Sequence, residues 1–380
     1  MKTVKKILFV SPSLSMGGQE KMLVALSNLL SKNGYDVTVV IYNPFFDLKA
    51  ELDDGVRLIY MPPKPKLGKK IPYIRHKFYD YGLWETRASA KQLYRYYVGG
   101  EKFDVEIAFF RGRSVKIISG SDDPDSKKLA WVHSDFERCE GIAGNFKSMD
   151  AVKKAYGAFD RIICVSNQAE SSFGKVIGLS ERTVTLRNFV NAAEITEKSK
   201  MPCDFKKDCF TVMSVGRLHA VKGYDRLLRA CARLDKIRKT RLVLIGGGDQ
   251  EEKLKALAAE LQYDKLTLLG QQENPYKYMR SADLYVCSSH FEGYNLTVAE
   301  ALVLGLPVLS TDCSGPREIL DDGKYGMITE NSAEGIYEGM LKLVNDPGSL
   351  NKYKNIAKQR KTFFDESKYL EKIKKIIDGS

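Results

Sequence analysis

The residues best suited to chemistry lie in the second half of the chain, in four short clusters. The first is Gly216-Arg217-Leu218, followed by Lys222-Gly223. It comes after an apolar run and before a helical one, where a helix N-terminus adds its own partial positive charge. A guanidinium can clamp a phosphate at two points and a lysine supplies a point charge. Taken alone, the pair reads more readily as two surface charges. The second cluster is Gly246-Gly247-Gly248-Asp249, again at a strand end, where glycines let a ligand come close to the backbone or simply make a tight turn. In the third, Glu292 stands in a loop and Glu300 eight residues later within a helix. The backbone N–H groups of Asn295, Leu296 and Thr297 would be unpaired donors of that helix's first turn. They could hold a phosphate while Glu292 accepts hydrogen bonds from sugar hydroxyls and Glu300 reaches a ribose diol. Read singly, Glu292 is a loop charge and Glu300 a buried or capping carboxylate. The fourth is Asp312-Cys313-Ser314-Gly315-Pro316-Arg317-Glu318, a strand end and a helix start. The first half offers Gly17-Gly18-Gln19-Glu20 and His133, the latter just after a strand-like run.

Positioning these residues requires a repeating frame. Residues 5–10 form a buried-type strand. A Ser/Gly loop follows, then a helical pattern over 20–32 (Leu23, Leu26, Leu30) that stops at Gly34, then a strand over 36–42. This is a βαβ unit of Rossmann type. More strand-like runs follow at 105–110, 128–132 and 161–165, with a last one near Val184. The stretch 192–208 is polar, holds Pro202 and shows no sustained period. The βαβ alternation then resumes over 210–311. The expected architecture is α/β: a Rossmann-like domain over 1–195, a linker over 196–207, and a second such domain over 208–355. A charged helical tail over 356–380 is expected to pack back on the first domain. Each domain would be a doubly wound parallel sheet, the two facing each other across a cleft, with ligands at the carboxyl ends of the strands.

Composition narrows the partners. The 380 residues suffice for two domains, and the apolar fraction of 43% is that of a folded chain rather than a disordered one. No apolar run reaches the roughly 18 residues needed to span a bilayer. The N-terminal apolar run is too short for a secretion signal. The seven cysteines show no metal-ligand spacing, which reads as reduced, structural thiols in a cytoplasmic protein. The net charge of +12 favours anionic partners. Residues 56–79 contain no acidic side chain but hold Arg57, Lys64, Lys66, Lys69, Lys70, Arg75 and Lys77 with aromatics between them. That stretch is either a solvated loop or a foot on an anionic membrane surface, at about 1 kcal/mol per basic residue.

In this order, GRL…KG, GGG, a Glu pair eight apart, ALxxGxPV and DCxGPRE resemble the retaining glycosyltransferase family 4 of the GT-B fold. The GPRE variant resembles a subgroup building bacterial surface polysaccharides, including capsule. The resemblance spans residues 5 to about 328. It implies transfer of a hexose or N-acetylhexosamine from a nucleotide-diphosphate sugar, with UDP favoured, to a hydroxyl of a saccharide acceptor that is lipid-linked. Carried over by position, Arg217 and Lys222 match the pair on the donor diphosphate, Glu292 the glutamate on the donor sugar, and Glu300 the one on the ribose. Gly17 and Gly18 match the loop near diphosphate and acceptor, and His133 the histidine facing the donor sugar. Gly216, Gly246, Asn295, Leu296 and Thr297 would complete the donor site. The family often has a second glycine where Asn295 stands; asparagine tolerates unusual backbone angles, so the loop is expected to keep its path. With cations and a helix N-terminus stabilising the leaving diphosphate, no metal and no cofactor are required. Asp123-Pro124-Asp125 is formally a metal-binding DxD, but its polar, turn-rich surroundings read as a solvent loop.

Two other classes remain open. A sugar-nucleotide epimerase on a similar fold would alter the donor without an acceptor, but needs acid–base pairs that the first half offers only in His133. A basic nucleic-acid binder would rest on residues 56–79 alone, and no nucleic-acid-binding signature accompanies them. The expected protein is therefore cytoplasmic, peripheral on the inner face of the membrane, and without a nucleic-acid partner.

Overall fold

Strand β1 (Lys6–Ser11) buries every residue after Lys6, and β2 (Asp36–Ile41) buries every residue after Asp36. Strands buried on both faces belong in parallel sheets, because the crossover helices supply the cover. The computed structural model describes residues 4–63, 85, 87–139, 141–205 and 207–378. It shows two compact units, Met1–Phe189 with Leu370–Ser380, and Val190–Tyr369.

The first unit adds β3 (Val56–Tyr60), β4 (Val105–Ala108), β5 (Lys127–Val132), β6 (Arg161–Cys164) and β7 (Thr183–Thr185). Its sheet is wholly parallel, in the order β3-β2-β1-β4-β5-β6-β7. The second unit holds β8 (Phe210–Val215), β9 (Thr240–Ile245), β10 (Leu266–Leu268), β11 (Leu284–Cys287), β12 (Val308–Thr311) and β13 (Met327–Thr329). They are again parallel, in the order β10-β9-β8-β11-β12-β13. Each sheet starts near its middle, runs to one edge, and then reverses. The reversals fall between β1 and β4 and between β8 and β11. At such a point the two outgoing connections cross to opposite faces and leave a crevice at the carboxyl ends.

Local signals set the helices between these strands. Helix Gly18–Lys32 buries Met22, Leu23, Leu26, Leu29 and Leu30 along one face and Val24 beyond it, and Gly34 follows it with φ 87°, a left-handed stop. Ser166 and Ser332 each cap a helix by accepting a backbone N–H three residues on.

Three segments differ from the sequence expectation. The expected linker over 196–207 begins inside a helix, Ala192–Ser199, which Asn191 caps and which packs beside helices Tyr276–Met279 and Leu296–Val303. The unit boundary accordingly falls at Phe189. Ile195 is the one large apolar residue that this helix buries, too few to show a period. The expected tail over 356–380 starts inside helix Pro347–Arg360, and helix Glu366–Asp378 reaches the first unit, where Lys5 Nζ meets Asp378 Oδ1 at 2.7 Å. Residues 56–60 of the basic stretch are edge strand β3. Arg57 is committed there to Thr38 Oγ1, at 3.1 Å, and to the Glu101 carboxylate. Residues 64–79 of that stretch lie outside the described residues.

Candidate active site

The loops after β8 and β11 meet at the strand reversal of the second sheet. The chain leaves β8 through Gly216-Arg217-Leu218, makes a short turn over Ala220–Lys222, and enters helix Tyr224–Asp235 through Gly223. Gly223 is left-handed (φ 60°), and a Cβ there would lie 2.3 Å from Ser288 O. Only glycine lets the two loops approach this closely. His290 N donates to Val221 O at 2.8 Å, and Ser288 Oγ donates to Lys222 O at 2.8 Å. The loops are thus stitched through their backbones before any charged group meets.

The charged groups then do meet. Lys222 Nζ lies 2.7 Å from Glu292 Oε1, and Ser289 Oγ donates to the same oxygen at 2.6 Å. Burial works to lower the Lys222 pKa, but the Glu292 carboxylate, with Tyr224 and Cys287 beside it, outweighs burial and holds the ammonium above its usual range. The end of β12 braces the loop from the other side. Thr311 Oγ1 and Cys313 Sγ both donate to Ser289 O, at 2.7 and 3.0 Å, and Ser314 Oγ donates to Glu292 O at 3.3 Å. Arg317 in the GPRE run grips Asp312 through two nitrogens, at 2.9 and 2.6 Å, so its work is to fasten this turn.

Asn295 has φ 81°, the left-handed conformation that a glycine would adopt without strain. Its Oδ1 accepts from Val298 N at 3.2 Å and from Thr297 Oγ1 at 2.8 Å, which makes it the cap of helix Leu296–Val303. Asparagine here takes a backbone angle open to glycine and also satisfies a donor of the first turn, which glycine could not. Thr297 Oγ1 also lies 3.3 Å from Val215 O, which brings this helix against the end of β8. Glu300, on the same helix, is buried and accepts from Tyr276 Oη at 3.1 Å. Leu296 opens the helix. Arg217 is exposed, and among the described residues its side chain has no hydrogen-bond or ion-pair partner.

The glycine run after β9 serves packing first. A Cβ on Gly246 would lie 2.1 Å from Gly216 O, and one on Gly248 2.2 Å from Leu218 O, whereas one on Gly247 would meet nothing within 4 Å.

In the first unit, Gly17 caps helix Gly18–Lys32, and a Cβ on it would strike Glu20 Oε2 at 2.2 Å. Ser15 Oγ donates to Glu20 Oε1 at 3.1 Å, so the carboxylate folds back over the glycine loop. His133 follows β5. Its Nε2 lies 2.9 Å from Phe109 O, and its ring sits against Phe109 and Phe110, with centroids 4.8 and 5.8 Å away. A carbonyl can only accept, so Nε2 carries the proton, and buried Nδ1 presents a lone pair with no partner among the described residues. Asp123 and Asp125 form a turn, with Asp125 N on Asp123 Oδ1 at 3.1 Å and Lys102 Nζ 3.4 Å from Asp123 Oδ2.

Comparison with known proteins decides the family. Residues 16–194 match the family described as Glycosyltransferase Family 4, and residues 196–360 match Glycosyl transferases group 1. The chain belongs to glycosyltransferase family 4. This glycosyltransferase is 26% identical over 353 residues to an uncharacterized glycosyltransferase of Haemophilus influenzae, covering 90% of this chain and 92% of that one. It is 38% identical over 165 residues to N-acetylgalactosamine-N,N'-diacetylbacillosaminyl-diphospho-undecaprenol 4-alpha-N-acetylgalactosaminyltransferase of Campylobacter jejuni. That match covers 43% of this chain and 44% of the Campylobacter protein, less than half of either. Its fold is that of Anabaena HepE, solved in complex with UDP-glucose: TM-score 0.75, 17% identity, 99% of this chain and 100% of that chain covered.

Several residues that hold the glycosyltransferase site together carry no sequence signal. Arg226 donates to Asn331 Oδ1 at 2.9 Å and to Ser288 O, fixing the β11 loop from beneath. Tyr276 reaches Glu300 from a four-residue helix, and Ser289 is found only through its contact with Glu292.

Burial pulls the pKa of His133 from 6.5 down to about 4, with the Phe109 hydrogen bond opposing. Between these values the unfolded chain binds a proton that the folded ring refuses. Stability is therefore complete above about pH 6.5 and falls as pH drops toward 4, by about 3 kcal/mol. His133→Gln, which has no such proton, is expected to show a shallower decline in melting temperature from pH 7 to pH 4.5. Parallel declines in parent and variant would remove His133 as the cause.

Proposed function

We propose that this glycosyltransferase moves a hexose or N-acetylhexosamine from a UDP-sugar to a hydroxyl of a lipid-linked saccharide, with retention and without a divalent cation. The observation that carries this reading is the meeting of Lys222 and Glu292 at the strand reversal of the second sheet. A nucleotide sugar needs a cation for its diphosphate and a hydrogen-bond acceptor for its sugar hydroxyls at adjacent points. The base is supported by the UDP-glucose complex of HepE, and the acceptor by the diphospho-undecaprenol in the name of the Campylobacter relative.

Cleaving the bond between sugar and diphosphate builds negative charge on the leaving group and positive charge at the anomeric carbon. Arg217, Lys222 and the N-terminus of helix Leu296–Val303 stabilise the first. Gly216 lets the donor approach the backbone, with Gly246 packed behind it. Glu292 orients the sugar, and Glu300 holds the ribose. His133 is neutral at physiological pH, and its Nδ1 accepts from a sugar hydroxyl. Gly17 and Gly18 face diphosphate and acceptor. The acceptor hydroxyl attacks on the face that the diphosphate leaves, and a phosphate oxygen takes its proton, so no side chain serves as general base.

A thermal-shift panel of UDP, GDP, ADP and their sugar conjugates, with and without EDTA, tests this. A ligand at 100 times its Kd stabilises the fold by about 2.7 kcal/mol. The expected result is a shift with a uridine sugar that EDTA does not remove. Transfer that depends strictly on added Mn²⁺ or Mg²⁺ would overturn the metal-free reading.

We also place the protein on the inner face of the cell membrane, where the basic run of residues 64–77 would meet an anionic surface. No helix among the described residues is long and apolar enough to cross a bilayer. Flotation with anionic vesicles but not neutral ones is expected. Equal recovery with both would count against it.

A further inference from the structure

Of the site's two cations, Lys222 is already engaged. Lys222 Nζ is 2.7 Å from Glu292 Oε1, and the two side chains are only 22% and 13% exposed. Their attraction is therefore less screened by solvent than that of a surface pair. The inference that follows rests on the donor reading above, in which a diphosphate takes Lys222 and sugar hydroxyls take Glu292.

Those two demands are coupled through one ion pair. A nucleotide sugar draws Lys222 away and offers hydroxyl donors to Glu292 in exchange, so both charges keep partners. A bare nucleoside diphosphate also draws Lys222 away but offers Glu292 nothing. It leaves a part-buried carboxylate without its counter-ion, which is costly. We infer that Glu292, through its hold on Lys222, makes the site discriminate against the nucleoside diphosphate product and so promotes its release once the sugar has gone. Ser289 is the positioning residue. Its hydroxyl holds the same carboxylate oxygen at 2.6 Å, and its own carbonyl is fixed by Thr311 and Cys313. The carboxylate therefore stays in place when Lys222 leaves, within reach to reclaim it. No bond is made or broken in this step; only the partner of Lys222 changes.

The test is a double-mutant cycle on UDP affinity, measured by calorimetry with UDP and UDP-glucose as probes. Glu292→Gln keeps the shape of the side chain and removes its charge. It is expected to tighten UDP binding by roughly 3- to 10-fold while UDP-glucose binding fails to tighten. UDP should also become a stronger product inhibitor. In a Lys222→Met background the same change is expected to leave UDP affinity unaltered, because there is no ammonium to release. Unchanged or weaker UDP binding by Glu292→Gln overturns the inference. So does tightening that persists with methionine at 222, which would mark plain repulsion between carboxylate and phosphate. If Lys222→Met alone leaves UDP affinity at the parent value, the donor-site reading itself falls, and the inference with it.

Discussion

Lys222→Met is expected to lower kcat/KM for transfer about a thousandfold while leaving the fold intact. The leaving diphosphate gains charge in the transition state, and Lys222 is the cation that Glu292 fixes at the strand reversal. Removing one such stabilising group from a site that excludes much of the water costs roughly 3–4 kcal/mol of transition-state stabilisation. Leaving the part-buried Glu292 carboxylate without its counter-ion also costs stability, about 1 kcal/mol, which is less than the catalytic loss. Glu292 keeps its Ser289 hydrogen bond and some access to solvent, and the backbone stitches through Val221 O and Lys222 O do not involve the side chain. Steady-state release of nucleoside diphosphate against donor concentration reads the effect, with a melting curve as the control for folding. A loss under about fivefold in a fully folded variant would take Lys222 out of the catalytic machinery and leave Arg217 to carry the diphosphate alone.

Gly246→Ala is expected to destabilise the second unit by about 3 kcal/mol, and Gly247→Ala to change stability by less than about 0.5 kcal/mol. The two are neighbours of the same type, yet their surroundings are opposite. A methyl on Gly246 would lie 2.1 Å from Gly216 O and 2.8 Å from Gly216 C. Both are backbone atoms of a turn held to the β9 end by Gly216 N on Ile245 O and Leu218 N on Gly247 O, each at 2.9 Å. The turn cannot retreat without breaking those bonds, and it carries Arg217. The Gly246 backbone is also left-handed, with φ 139°, which adds strain for any other residue. A methyl on Gly247 meets nothing within 4 Å. Urea unfolding of the two variants checks this, and equal midpoints would refute the packing argument.

This contrast shows where sequence reasoning stops. Gly246-Gly247-Gly248 is legible as a run at a strand end, and its two explanations, ligand approach and tight packing, cannot be separated from residue types. Coordinates separate them residue by residue. Asn295 is a similar case. Its difference from the family's usual glycine is visible in the chain, but its backbone angle and its cap on Val298 N are not. Helix Ala192–Ser199 escaped the periodicity reading because one buried isoleucine makes no pattern, and contacts with the second unit decide where it belongs. Strand β3 was obscured by its charge, since Arg57 points to Thr38 and Glu101 while Val56 is buried.

Alternation of fully apolar runs with amphipathic ones determined two doubly wound parallel sheets. That inference needs only the periods of strand and helix and the rule that a strand buried on both faces must be covered on both. The order and spacing of the glycine, cation and carboxylate clusters likewise determined the family, because those residues follow strand ends whatever the packing around them. What tertiary structure alone decided is which charges meet. Lys222 and Glu292 are seventy residues apart in the chain and become partners because β8 and β11 are adjacent across the reversal of the sheet. Strand order is set by the long-range burial of whole faces, which no local window of residues contains.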